Sequence, residues 1–221
     1  MATPGPETLA PPLSRRERTT ATGLLGATIW LTGLPAAGKS TLAAALERSL
    51  VQAGRPAYVL DGDVLRAGLS SDLGYSDDAR SEQARRVSHV AIALADAGTV
   101  TIVALISPFA ADRARARALH DEAGLPFLEV FVDTPASECV RRDPKGLYAG
   151  ANAGSVANLT GAGGRYEPPA TPDVRIATLS EPVSAAVARL RAVLDGVAPH
   201  QRPAVPTPVF APPETAEARS A

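Results

Sequence analysis

An apolar run, Ala27–Thr32, leads into Gly33-Leu34-Pro35-Ala36-Ala37-Gly38-Lys39-Ser40-Thr41, and a helical pattern opens at Lys39. A strand before and a helix after are the context that confirms a phosphate-binding loop. The glycines let backbone N–H groups turn inward around phosphates, and the helix N-terminus adds partial positive charge. Lys39 would reach the β- and γ-phosphates of a nucleotide. The Ser40 hydroxyl would complete a Mg²⁺ shell, with Thr41 close by. The chain has twenty arginines and two lysines, Lys39 and Lys145. Such a bias keeps lysine where a compact, rotatable point charge is needed rather than a planar fork. The loop specifies a nucleotide but not a reaction.

The rest of the chain repeats the alternation. Apolar runs at Ala57–Leu60, Val100–Ile106, Leu128–Val132 and, more weakly, Val174–Thr178 are short and partly β-branched, as strands buried on both faces are. Helical patterns occupy Lys39–Ala53, Ser76–Ala97, Ala111–Glu122, Pro135–Arg141 and Pro182–Leu194. The order predicts a three-layer α/β domain over residues 19–198 with a mostly parallel sheet of about five strands. Residues 1–18 and the proline-rich stretch 199–221 read as flexible tails. The segment Asp143–Pro172, rich in Gly, Ala, Asn and Pro, shows neither period and reads as a mobile lid.

A formal charge of −1 gives no global field toward nucleic acid or membrane, and no basic stripe or aromatic platform appears. No apolar stretch is long enough for a bilayer. The N-terminus shows no signal pattern. One cysteine, Cys139, fits a reducing compartment, and a cytoplasmic location is the expectation. His89, His120 and His200 show no metal-ligand spacing.

The second predicted strand ends in Asp61-Gly62-Asp63, followed by Arg66. Ligands of open parallel sheets gather beyond the carboxyl ends of strands. Two carboxylates there can orient a metal-bound water and an acceptor hydroxyl, and one can take the hydroxyl's proton. Asp63 also fits a helix N-cap. The stretch Asp61-Gly-Asp-Val-Leu-Arg66-Ala-Gly-Leu-Ser-Ser-Asp-Leu-Gly-Tyr75-Ser resembles the signature of the adenylylsulfate (APS) kinase family, whose members have the phosphate-loop kinase fold. Arg80-Ser-Glu-Gln83-Ala-Arg-Arg86-Val, Ala104-Leu-Ile106-Ser107-Pro108-Phe109, Glu129-Val-Phe-Val-Asp-Thr-Pro135 and Arg142-Asp-Pro-Lys145-Gly-Leu-Tyr148 resemble its later blocks. The similarity runs in order from about residue 20 to residue 196.

That resemblance implies transfer of the ATP γ-phosphoryl group to the ribose 3′-hydroxyl of adenosine 5′-phosphosulfate, giving PAPS and ADP in sulfate assimilation. It implies Mg²⁺, a homodimer and an ATP sulfurylase as a possible partner. Carried over by position, Asp61, Asp63, Lys39 and Ser107 are the catalytic candidates, with Asp63 the proton acceptor or positioner. Ser107 also fits the N-cap region of the next helix. Ser40 and Asp61 are the metal-side candidates. Residues 33–41 hold ATP, and Arg142 stacks on its adenine. The acceptor side comprises Asp63, Arg66, Tyr75, Arg80, Gln83, Ile106, Ser107, Lys145, Leu159 and Thr160. Arg66 and Arg80 would bind the phosphosulfate, Tyr75 would stack on the base, and Lys145 would enter from the lid. Gln83 stands where the family has Asn. Leu159 stands where it has a Phe that closes over the adenine, and Phe109 stands where a His is frequent. Two other readings fit the same residues. One is a kinase of this fold with another small hydroxylated acceptor. The other is a non-catalytic nucleotide-binding partner of a sulfurylase.

Overall fold

The computed structural model describes residues 12–154 and 158–199. In chain order the elements are α1 (Arg15–Thr22), β1 (Ala27–Thr32), α2 (Lys39–Gln52), β2 (Ala57–Asp61), α3 (Gly62–Arg66), α4 (Asp77–Asp96), β3 (Val100–Ala104) and α5 (Ala110–Glu122). They continue with β4 (Phe127–Asp133), α6 (Ala136–Arg142), α7 (Leu147–Asn152), β5 (Leu159–Thr160), β6 (Gly163–Gly164), β7 (Val174–Ala177) and α8 (Val183–Val197). The main sheet has the order β2-β3-β1-β4-β7, and every pair in it is parallel.

β1 lies at the centre, and all six of its residues are buried. Its alternation sorts the two cores. Ile29 and Leu31 join Leu42, Leu46 and Leu50 of α2 and Leu190 and Leu194 of α8. Trp30, on the opposite face, joins Val87 and Ala91 of α4, Ala116 of α5 and Phe127. Helices therefore cover both faces, and near-continuous apolar strands are the result expected of that geometry. The chain leaves β1 toward β2 and leaves β3 the other way, toward β4. The strand order thus reverses around β1, where ligand crevices form in open parallel sheets. Asp61 and Leu31 are both in register with Ala104. The glycine loop, the acidic pair and the segment after β3 therefore emerge at one edge.

Several boundaries differ from expectation. β3 stops at Ala104 rather than Ile106, because the backbone turns to φ 38° at Ser107. Residues 15–18, expected within a tail, belong to a helix. Ser14 and Glu17 cap α1 reciprocally, and the Arg15 guanidinium donates to Asp96 Oδ1 (2.6 Å), Ala123 O (2.7 Å) and Gly124 O (3.0 Å). Residues 1–11 and 200–221, the remainder of the two expected tails apart from residues 12–14 and Pro199, lie outside the described residues. Within 143–172, read as without regular structure, the short helix α7 forms. Its Tyr148 is buried and donates to Pro35 O (3.2 Å). Residues 155–157 lie outside the described residues. Among the described residues, no helix is long and apolar enough to cross a membrane.

Candidate active site

The glycine loop is shaped by two close constraints. A Cβ on Gly33 would stand 2.6 Å from Val132 O, so β4 excludes any side chain there. Gly38 takes φ 104° as the N-cap of α2, a conformation that costs glycine little. Ala36, at φ 61°, adopts the left-handed region without that freedom. Thr134 Oγ1, past β4, donates to Ala37 O (2.8 Å) and holds the loop's outer rim. Arg142 lies on the same rim. It donates to Glu138 (2.7 Å) and contacts Ala37 O (3.5 Å).

Lys39 is buried under this loop, and its ammonium donates to Gly33 O (2.9 Å) and Leu34 O (2.8 Å). Burial pulls its pKa down from the ordinary lysine value to about 8, against partial support from Cys139, Asp61 and Asp63. Cys139 is itself buried and donates weakly to Thr134 O (3.7 Å). Burial raises its thiol pKa.

Ser40 Oγ donates to Asp61 Oδ2 (2.6 Å), and Asp61 Oδ1 accepts from the Asp63 backbone N–H (3.0 Å). Asp61, not Asp63, is thus the N-cap of α3. Both oxygens of Asp61 are engaged, which fixes its orientation. Asp63 projects its exposed carboxylate from the first turn of α3 and forms an ion pair with Lys145. The hydrogen bond to Asp63 raises the Lys145 pKa. One carboxylate is thus built in and the other is presented.

The donor set also suits Mg²⁺. Ser40 Oγ and the Asp61 carboxylate put hard oxygens together at the loop's mouth. Among the described residues, no three His, Cys, Asp or Glu side chains gather into a closed cage. Mg²⁺ is ordinarily held in the same way, by one or two carboxylates with phosphate oxygens and water completing the shell.

Beyond α3 lies a cationic face. The Arg66 guanidinium sits 4.4 Å from the centroid of the exposed Tyr75 ring, and that of Arg80 sits 5.9 Å from it. Arg66 donates to Gly74 O (2.7 Å), and Arg80 to Tyr75 O (3.2 Å) and Asn158 O (3.2 Å). Burial lowers both pKa values, yet a guanidinium stays charged. Gln83 is buried and donates to Gly62 O (3.2 Å), so it braces the acidic turn.

Not every candidate faces open space. Ser107 is 4 % exposed, and its Oγ accepts from the Trp30 indole N–H (3.0 Å). It does not cap α5. The N-cap there is Phe109, and Glu167 Oε2 accepts from Ala110 N (2.8 Å). Leu159 and Thr160 are 4 % and 1 % exposed, and Leu159 packs into the same core as Tyr148. Covering a base would require Leu159 to leave that core.

Several supporting side chains have no local signal. Thr32 Oγ1 donates to Ile106 O (2.7 Å) and lies 3.1 Å from the Tyr166 hydroxyl, tying the ends of β1 and β3 to residue 166. Burial pushes the pKa values of Tyr148 and Tyr166 up to about 12. Tyr166 and Glu167 stand in a Tyr-Glu-Pro-Pro run, whose large side chains in a Gly/Ala-rich segment were the available clue.

The family model for adenylylsulphate kinase matches residues 25–177. An adenylyl-sulfate kinase of Pseudomonas aeruginosa is 52 % identical over 170 residues, covering 76 % of this chain and 85 % of that protein. The bifunctional enzyme CysN/CysC of Mycobacterium tuberculosis is 53 % identical over 151 residues, or 68 % of this chain. The match spans only 25 % of that longer protein. The structure of the M. tuberculosis APS kinase CysC in complex with AMPPNP and APS superposes with a TM-score of 0.76 at 47 % identity. It covers 78 % of this chain and 99 % of that one.

Proposed function

The chain belongs to the adenylylsulfate kinase family, and from that premise we propose that it phosphorylates adenosine 5′-phosphosulfate at the ribose 3′-hydroxyl, using ATP and producing PAPS and ADP for sulfate assimilation. The observation that carries this reading is the hydrogen bond of 2.6 Å between Ser40 and Asp61, with Asp63 on the next turn. It joins the phosphate loop after β1 to an acidic pair at the end of β2. A donor phosphate and an acceptor hydroxyl meet there.

In this reading the loop amides and the N-terminus of α2 hold the triphosphate, and Lys39 exchanges its two carbonyl partners for phosphate oxygens. Ser40 and Asp61 would hold Mg²⁺, which when bound neutralises phosphate charge. Asp63 orients the 3′-hydroxyl and accepts its proton. Lys145, already beside Asp63, is available to either anion. Arg66 and Arg80 bind the phosphosulfate, and the adenine stacks on Tyr75. The catalytic unit is the domain over 19–198, working in the cytoplasm. A homodimer and an ATP sulfurylase partner remain part of the proposal.

An acceptor panel with ATP and Mg²⁺ tests it. Adenosine 5′-phosphosulfate should be preferred over plain nucleosides, AMP and sugars. Preference for a nucleoside or a sugar would overturn the reading.

The depressed Lys39 pKa adds a pH prediction. Phosphate oxygens favour the ammonium, so above pH 8 nucleotide binding must bring a proton with it. The Kd for ATP should rise by up to about tenfold per pH unit as pH climbs past about 8. Lys39→Arg should flatten that dependence, whatever its own affinity, because a guanidinium does not titrate there. Titration calorimetry from pH 7 to 9.5 measures both. The same shift stabilises the fold as pH rises from about 8 toward 10.5, since only the unfolded chain then holds the proton.

A further inference from the structure

We propose that Arg113 is a positioning residue for the acceptor end of the site, fixing where the Ile106–Ser107 backbone meets the substrate. The inference rests on the function proposed above and adds a residue that the phosphate loop and acidic pair do not involve. Arg113 lies on α5 and is 3 % exposed. Its guanidinium is satisfied in three directions by three separate segments. Nε donates to Glu129 Oε1 on β4 (2.6 Å), Nη1 to Ser107 O (2.7 Å) and Nη2 to Glu167 O (2.7 Å).

The turn it grips is strained. Ser107 has φ 38°, and a non-glycine residue in such a region persists only where its surroundings over-determine it. The surroundings do so here. Arg113 holds the Ser107 carbonyl, Trp30 holds its hydroxyl, and Thr32 holds the Ile106 carbonyl. Glu167 N donates to Pro108 O (2.9 Å), and the Glu167 side chain accepts from Ala110 N. The turn follows directly after Ala104, the register partner of Asp61. A change in its φ would therefore move backbone atoms beside the acidic pair, while the rim of the glycine loop keeps its own support from Thr134. Through Glu167 the same guanidinium anchors the far end of the segment that carries Lys145, Leu159 and Thr160. A planar fork reaches three carbonyl and carboxylate groups at once, whereas an ammonium on a single stem does not.

Arg113→Lys keeps the charge and loses the fork. We expect the KM for adenosine 5′-phosphosulfate to rise at least about tenfold, equivalent to about 1.4 kcal/mol, with the KM for ATP within about twofold of the parent. The control is His120→Gln on the same helix. His120 is fully buried, bonding Ala116 O (2.7 Å) and Thr28 Oγ1 (2.9 Å), and does not touch the turn. It should lower the melting temperature while leaving the acceptor KM unchanged. An unchanged acceptor KM in Arg113→Lys, an equal rise in both KM values, or the same acceptor defect in His120→Gln would each overturn the proposal. If Arg113→Lys does not fold, Trp30→Phe removes the donor to Ser107 Oγ and keeps an aromatic ring. It should still raise the acceptor KM selectively, and a parental value would count against the proposal. Absence of acceptor-dependent ADP release in the unmutated protein would overturn the proposed function, and this inference with it.

Discussion

Lys39→Ala is expected to lower ATP-dependent turnover by at least about 10³-fold, the scale set by removing a preorganised charge from a phosphoryl-transfer site. Three features of the structure lead there. The ammonium lies beneath the loop and, among the described residues, is hydrogen-bonded only to the Gly33 and Leu34 carbonyls. It is buried, so its interaction with phosphate is weakly screened. The chain's other lysine, Lys145, is already paired with Asp63. The fold should tolerate the change. Burying an ammonium costs stability, and α2 packs through Leu42, Leu46 and Leu50 rather than through Lys39. A melting curve beside a steady-state assay checks both halves. Turnover within tenfold of the parent would remove Lys39 from the mechanism, and a collapsed melting transition would show that its role is structural.

Asp63→Asn should lower kcat by about 10²- to 10⁴-fold, the usual range for a general base or its orienting equivalent, and leave ATP affinity nearly unchanged. The two carboxylates differ in what holds them. Asp61 has both oxygens engaged, by Ser40 and by the Asp63 amide, and so cannot leave without disturbing the N-cap of α3. Asp63 contributes only its backbone to that cap, and its side chain projects outward to Lys145. An amide at 63 keeps shape and backbone while removing the proton acceptor. The alternative is that Asp63 serves only to hold Lys145. In that case Lys145→Met and Asp63→Asn would have equal effects, and the double variant would be no worse than either. Greater loss in Asp63→Asn than in Lys145→Met separates the chemistry from the ion pair.

Much of the architecture was legible because its signals are local. The five main strands are short apolar runs and four of the longer helices carry a 3.6-residue period, so only their ends moved. The glycine loop was legible because its requirement is conformational and confined to six residues, Gly33 to Gly38. The acidic pair was legible as chemistry, yet the sequence assigned the N-cap to the wrong aspartate. Either residue fits a cap by type, and only backbone geometry separates them. What escaped was long-range. The partner of Ser107 is Trp30, 77 residues away, and the grip of Arg113 spans Ser107, Glu129 and Glu167. Arg113 sits in an Arg/Ala-rich helix, and its burial shows only when β4 and residue 167 arrive from elsewhere in the chain. α7 was missed because Gly150 and Asn152 weaken local helix propensity, while Tyr148 anchors the turn through Pro35. α1 was missed because its docking is by arginine to the C-terminal ends of α4 and α5, which leaves no apolar period to read.

The central claim is a phosphate loop and an acidic strand end cooperating on a sugar hydroxyl. Its most direct measurement is ADP release at fixed ATP and Mg²⁺ with adenosine 5′-phosphosulfate titrated in, and the product analysed for the position of the new phosphate. The account predicts saturable release matched one for one by 3′-phosphorylated acceptor. ADP release indifferent to the acceptor, or phosphate found anywhere but the 3′-oxygen, would contradict it.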